Sequence, residues 1–193
     1  MKQVLVVNES SVAGHALDSG AELWSVPFDG GSSSNASNSQ PVALPGDRVF
    51  VSKGYAIGCM LLHISQVGGK WQAEVEWKDN KLMKTKFTNV VIVGDYAYGL
   101  SDGVLECIQW PEGERQWKQG RYGHGQILLV GDVLLVQAEA GELLMVEATP
   151  DEHRELAKLP ALSDKTWNNL CLYGDKLLLR NAAEAVCYEL PLK

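Results

Sequence analysis

The sequence predicts an all-β fold built from repeated four-stranded units, on three observations. No stretch of eleven or more residues keeps apolar side chains on one helical face between a cap and a stop. Short β-branched and Leu-rich runs recur instead, at Val4–Val7, Val49–Val51, Val90–Val93, Ile127–Val130, Val133–Val136 and Leu177–Leu179, each bounded by Gly, Asp, Asn or Pro. A Gly-Asp pair stands before an apolar strand four times: Gly46-Asp47, Gly94-Asp95, Gly131-Asp132 and Gly174-Asp175. Apolar residues also precede each pair, so each reads as a tight hairpin turn in which glycine supplies the left-handed backbone.

The spacing of those turns sets the size of the unit. The four glycines lie 48, 37 and 43 residues apart, and four strands fit in each step. A period near 40 residues with four strands is the signature of a β-propeller blade. A blade cannot bury both faces alone, so blades must stack side by side around an axis.

The elements follow in order, with the strands of a blade named A to D from the axis outward. The first unit, 1–29, supplies B, C and D (Gln3–Asn8, Val12–Asp18, Glu22–Phe28) with no A strand before them. A Ser-rich stretch at 30–40 reads as a solvated, mobile loop. Three full blades follow at 41–79, 86–118 and 124–158. The last unit, 166–193, supplies A (Asn168–Tyr173), B (Lys176–Arg180) and C (Ala185–Leu190). That is four and a half blades in a single domain, 1–193; the expectation is the C-terminal part of a larger propeller, and the alternative is a small four- or five-bladed ring or a self-assembled pair. An open arc leaves bare blade faces and unpaired strand edges. The expected partners are therefore a protein, the remaining blades or a second copy.

Composition excludes several functions. The chain has 193 residues, 46% hydrophobic and 21% charged, with a formal net charge of −7. A broad nucleic-acid face needs a basic surface, so none is expected. No apolar run approaches the ~20 residues that span a bilayer, so no membrane insertion is expected. The N-terminus has four apolar residues in a row, too few for a signal-peptide core. Cys59, Cys107, Cys171 and Cys187 form no CxxC pair and have no histidine at zinc-ligand spacing, so no metal site is expected.

The tryptophans then acquire a register. The third unit reads Cys107-x-Gln109-x-x-x-Gly113-x-x-x-Trp117, and the first reads Ala16-x-Asp18-x-Gly20-x-x-x-Trp24. The second keeps Gly69 and Trp77, the fourth has Met145, Glu147, Asp151 and Glu155 at the four positions, and the fifth keeps Cys187-Tyr188-Glu189. This pattern resembles the Ala-x-Asp-x-x-x-Gly-x-x-x-Trp blade motif of the pyrroloquinoline-quinone (PQQ)-like propellers. In such a motif the small residue, Cys107 and Cys187 here, is a buried packing group. The glycines Gly20 and Gly113 permit the turn, and Trp24, Trp77 and Trp117 dock on the neighbouring blade.

The resemblance covers the whole chain and is closest to non-catalytic members, including the propeller scaffold of bacterial outer-membrane protein assembly. It implies a periplasmic or exported full-length protein. For the quinoprotein dehydrogenases it implies a bound quinone, an ion held by Glu, Asn and Asp, a base Asp and often a disulfide between adjacent cysteines. This sequence has no adjacent cysteine pair and no set onto which the ion ligands map, so no PQQ cofactor is expected. It also lacks GxSxG, HExxH and a phosphate loop followed by a helix. The predicted function is a non-enzymatic scaffold for protein or ligand binding. The alternative is a piece of a larger quinoprotein-like or carbohydrate- or peptide-binding propeller.

The links from strand D to the next strand A open near the axis, where side chains of consecutive blades converge. The candidate ligand-binding residues there are Arg121, Tyr122, His124 and Gln126 from one link, and Lys165, Trp167 and Asn168 from the next. Arg180, at the end of a B strand, is a further candidate. Such a mixture of Arg, Tyr, His and Trp suits a carboxylate, sugar or peptide.

Overall fold

The computed structural model describes residues 2–30 and 39–191. They form five antiparallel sheets, each a meander in chain order. The first unit holds β1 (Gln3–Val7), β2 (Ser11–Ala16) and β3 (Glu22–Pro27). The second holds β4 (Val42–Leu44), β5 (Arg48–Lys53), β6 (Gly58–Val67) and β7 (Lys70–Asp79). The third holds β8 (Val91–Val93), β9 (Tyr96–Ser101), β10 (Val104–Gln109) and β11 (Glu114–Arg121). The fourth holds β12 (Gln126–Val130), β13 (Val133–Gln137), β14 (Glu142–Glu147) and β15 (Glu155–Pro160). The fifth holds β16 (Cys171–Tyr173), β17 (Lys176–Arg180) and β18 (Ala185–Glu189). This is a β-propeller architecture of four-stranded blades, with three strands in the first and last units.

The core is a series of interfaces rather than one interior. Alternate residues of each B strand face opposite neighbours, because side chains along a strand alternate. Val49 and Val51 join the cluster shared by the first and second units, while Phe50 joins that of the second and third. Tyr98 and Leu100 pack against the fourth unit with Leu134 and Val136. Leu135 faces the fifth unit, where Leu177 and Leu179 meet it. Leu178, on the opposite face of β17, is 46% exposed.

Trp77 and Trp117 lock successive blades. Trp117 donates its indole N–H to the Thr149 carbonyl at 3.0 Å, in the turn between β14 and β15. Trp77 donates to the Trp110 and Pro111 carbonyls, both at 3.1 Å, in the equivalent turn of the third unit. Its ring lies against Gly113, where an added Cβ would stand 3.0 Å from it. Gly20 has a similar φ of +71°, yet an added Cβ there meets nothing within 4 Å, so it serves its turn and no docking contact.

Trp24 departs from that pattern. It is buried in the cluster of the first two units, but its N–H bonds Gln3 Oε1 of its own sheet at 2.7 Å. Strands β6 and β7 have ten residues each, and this long hairpin carries its turn beyond reach of Trp24. The small residue opposite Trp24 is Gly14 rather than Ala16. In the fourth unit Ala157, not Glu155, stands opposite Met145, because the hairpin from β14 to β15 is two residues longer than that from β10 to β11, while both carry the same bulge.

Two further expectations are corrected. Cys107 is buried, and burial pushes its thiol up to about 12, but Cys187 is exposed because no described strand or blade covers its face. In the Ser-rich stretch, residues 31–38 lie outside the described residues. Ser39 is buried rather than solvated, its hydroxyl reaching Thr85 Oγ1 at 2.7 Å and the Thr88 carbonyl.

Lys53 ties the first unit to the second. Its buried Nζ donates to the Asn8 carbonyl at 2.7 Å, the Glu9 carbonyl at 2.8 Å and the Phe28 carbonyl. Three acceptors match the three protons of an ammonium, which is how a buried lysine is tolerated. Burial lowers its pKa.

Candidate binding face at the converging links

A four-stranded meander places its B-to-C turn and its D-to-A link at the same end. The link before β12 and the link before β16 therefore meet the Ala138–Gly141 turn of the fourth unit. Glu139 joins them through four bonds. Its N–H donates to the Tyr122 carbonyl at 2.8 Å and its carbonyl accepts the Thr166 N–H at 2.9 Å. Its carboxylate accepts the His124 backbone N–H at 3.0 Å and the Trp167 indole N–H at 2.9 Å. These donors hold the Glu139 carboxyl below the usual carboxylate range, the His124 backbone N–H being the larger cause.

A third link, before β8, brings Phe87 to the same place. The Phe87 ring lies 6.0 Å from His124, edge to face, and 5.4 Å from Trp167, tilted by 44°. Gln126 fastens the three links from below. Its buried amide donates to the Phe87 carbonyl and to the Trp167 carbonyl, both at 3.0 Å. Trp167 remains 45% exposed, and Lys165 Nζ sits 4.9 Å from its ring centroid. The His124 imidazole has its pKa lowered, first by partial burial and then by Lys86 nearby, which favours its neutral form. An open cavity of about 500 Å³ lies beside this cluster, lined by Arg121, Tyr122, Glu139, Glu142, Ser163 and Lys165.

The sequence-derived candidates divide between roles. His124, Lys165 and Trp167 present side chains to the face, and Arg121 is exposed at the cavity wall. Gln126 is spent on holding the links together. Tyr122 is 7% exposed and belongs to the core between the third and fourth units. Its hydroxyl is taken by His153 Nε2 at 2.8 Å and Glu155 Oε2 at 3.2 Å. Asn168 is half-buried and outside the ring cluster. Arg180 lies at the same end of the fold, since its neighbour Asn181 bonds the Asp164 carbonyl at 3.4 Å. Its side chain, however, shares the exposed face of Leu178, turned away from the fourth unit.

Phe87 and Glu139 are the participants that motif reading missed. A register signal for the aromatic exists. Phe87, His124 and Trp167 each stand three residues before the first buried apolar residue at the start of their A strand or just ahead of it, namely Val90, Ile127 and Leu170. Glu139 required the meander rule that turn and link share an end. Among the described residues no group of three or more His, Cys, Asp or Glu side chains could hold a metal ion. No helix among them is long and apolar enough to cross a membrane.

No family model and no curated protein matches the chain. Solved structures do. BamB from Moraxella catarrhalis aligns with a TM-score of 0.70 at 15% identity, covering 97% of this chain and 58% of that one. The chain thus spans a little over half the length of BamB. A putative 6-phosphogluconolactonase from Bacteroides uniformis aligns with a TM-score of 0.59 at 13% identity, covering 96% of this chain and 68% of that one. These likenesses carry the propeller fold and no more, since identities this low do not transmit a site.

Proposed function

We propose that this chain is a non-enzymatic scaffold of the PQQ-like propeller type, which binds a partner protein on the face where its links converge. The observation that carries the reading is the Gln126 amide. By bonding the Phe87 and Trp167 carbonyls it makes three separate links into one platform bearing three rings. Simple connectors between blades need no aromatic side chains. A ring cluster fixed from below and open above is the form of a recognition surface, because exposed aromatics contribute contact area at little entropic cost.

The ligand is an extended peptide segment with acidic side chains. Phe87, His124 and Trp167 receive its apolar groups, while Lys86, Arg121 and Lys165 attract its carboxylates. Arg121 and Lys165 share the cavity lining with Glu139, Glu142 and Asp164, of which Glu139 is taken by the His124 and Trp167 donors and Glu142 by Lys158.

Titration with fluorescein-labelled acidic and neutral nine-residue peptides tests the reading. Acidic peptides should bind, and Trp167→Ala and His124→Ala should each weaken them about tenfold while the melting temperature stays near that of the parent. Binding unaffected by both variants would sink the proposed face. Turnover of alcohols or sugars after addition of PQQ would sink the non-enzymatic reading.

A further inference from the structure

The turn from β5 to β6 is closed by the Ile57 N–H donating to the Gly54 carbonyl at 3.1 Å. Its two central residues, Tyr55 and Ala56, have φ of +56° and +65°. A turn with both central residues left-handed is the preserve of glycine, asparagine and aspartate, which adopt that backbone at least cost. The third unit follows the rule at the same place in its meander, where Asp102 and Gly103 have φ of +50° and +80°. The second unit holds an aromatic residue and an alanine there instead, and each Cβ crowds its own backbone.

Burial does not explain the choice. Ile57 packs against the core of the first two units, but Tyr55 is half-buried and belongs to none of the buried clusters among the described residues. Ala56 is exposed. What the Tyr55 ring meets is Lys86, whose Nζ lies 4.6 Å from its centroid. Gly54 permits that approach, since an added Cβ there would stand 2.3 Å from Lys86 Cγ. Lys86 precedes Phe87 in the link before β8, and its charge adds to partial burial in lowering the His124 pKa. Tyr55 therefore continues the rings of the converging links one blade further, with Lys86 between. Backbone strain that core packing does not call for gathers where a surface must hold a side chain in a set direction for a ligand.

We propose that Tyr55 is a binding residue of the converging-link face, held out by its strained turn to seat an acidic side chain of the peptide beside Lys86. This role rests on the peptide binding proposed for that face and extends it to the second blade. The Lys86 ammonium, steadied over the ring, pairs with the carboxylate, and the open part of the ring lies against the methylene groups behind it.

Two single variants separate strain from binding. Tyr55→Asn suits the turn and removes the ring. Its melting temperature should rise by about 2–4 °C, while its affinity for the fluorescein-labelled acidic nine-residue peptides should fall about tenfold. Ala56→Gly relieves strain and keeps the ring, so its melting temperature should rise while peptide affinity stays at the parent value. A melting temperature lowered by Tyr55→Asn would mean that the ring serves only to clamp the link, and would overturn the proposal. So would parental affinity in Tyr55→Asn when Trp167→Ala and His124→Ala both lose it; the face would then stand without Tyr55. Affinity lost in Tyr55→Asn but kept in the other two would leave the Tyr55 seat and remove the face proposed around Trp167. No binding of acidic peptides by the parent would overturn both.

Discussion

The interface between the third and fourth units and the interface between the fourth and fifth are built on the same meander but held by different means. The first contains Trp117, Tyr98 and Tyr122 with aliphatic residues around them. Trp117 hydrogen-bonds the next blade and meets His153 edge to face at 5.6 Å. The six buried residues of the second are all leucines. Ala157 stands where the tryptophan would be, and β15 is exposed along its length. A docking tryptophan needs a C-to-D turn on the next blade to receive its N–H, as Thr149 and Trp110 do. The fifth unit has no such turn among the described residues, and no tryptophan reaches for one. Leucine packing gains transfer energy without direction, whereas an indole with a hydrogen bond also fixes the angle between blades.

The largest effect expected from this contrast is that of Trp117→Ala. Removing a buried indole costs about 3–5 kcal/mol, and here a carbonyl partner is lost as well. Urea denaturation should show the whole transition moving to lower urea. Leu177→Ala should cost about 2–4 kcal/mol locally, with hydrogen exchange accelerating in β16, β17 and β18 before the other strands. Uniform acceleration across all five units in both variants would break the distinction between the two interfaces.

The interface of the second and third units offers a polar version of the same question. Glu106 is fully buried, accepting the Met83 N–H at 2.7 Å and the Arg115 Nε–H at 2.6 Å. Arg115 is 41% exposed on its side chain, so water can replace its lost partner. The Met83 N–H is buried and has no such recourse. Glu106→Ala should therefore cost about 1–3 kcal/mol, the penalty of one orphaned donor, and less than Trp117→Ala. A larger loss in the same denaturation series would mean that the Glu106–Arg115 pair, within the third unit, contributes beyond the orphaned Met83 donor.

The glycine pair sharpens the comparison between a turn and a docking contact. Gly20 and Gly113 have φ of +71° and +72°, so alanine strains both by roughly 1–2 kcal/mol. Only at Gly113 does the new Cβ press on a tryptophan ring, which adds roughly 1 kcal/mol or more of overpacking. Melting temperatures of the two alanine variants should differ in that order. Equal shifts would mean that the Trp77 ring moves aside freely.

How much of this was legible in the sequence follows from which signals are local. Strand existence is local, written in runs such as Val133–Val136 and in the Gly-Asp turns, so the meanders could be read. Trp117 could be given a register because its partner glycine lies four residues away. The exposure of Cys187 could not be read from the C-strand pattern, because burial there depends on a neighbouring strand and blade. Ala157 was missed because the hairpin from β14 to β15 is two residues longer than the motif spacing, and no tryptophan marks the register there. Of the binding face, His124 and Trp167 stood out as aromatics in links. Glu139 did not, because a glutamate in an Ala-Glu-Ala-Gly turn looks like any solvated turn residue. Its role comes from two links that approach it from either side.

The smallest expected effect concerns that residue and tests whether the link platform is coupled to blade stability. Glu139 is held below the ordinary carboxyl value by donors that exist only in the fold. The unfolded chain therefore takes up that proton first as pH falls. The stabilisation is complete above the ordinary range and is lost as pH drops through the lowered folded value. His124 is likewise lowered in the fold, so acidification from its ordinary value near 6.5 also favours the unfolded chain. Both shifts act in one direction, the histidine first and the carboxylate later. Melting temperature should fall between pH 7.5 and 5.5 in the parent and less in His124→Asn. Between pH 5 and 3.5 it should fall further in the parent than in Glu139→Gln. The fourth and fifth units, joined through Glu139 but lacking a docking tryptophan, should be the first to show faster hydrogen exchange as the pH drops. If the third unit responds equally early, the platform belongs to the tryptophan-docked body of the propeller and not to its leucine-packed end.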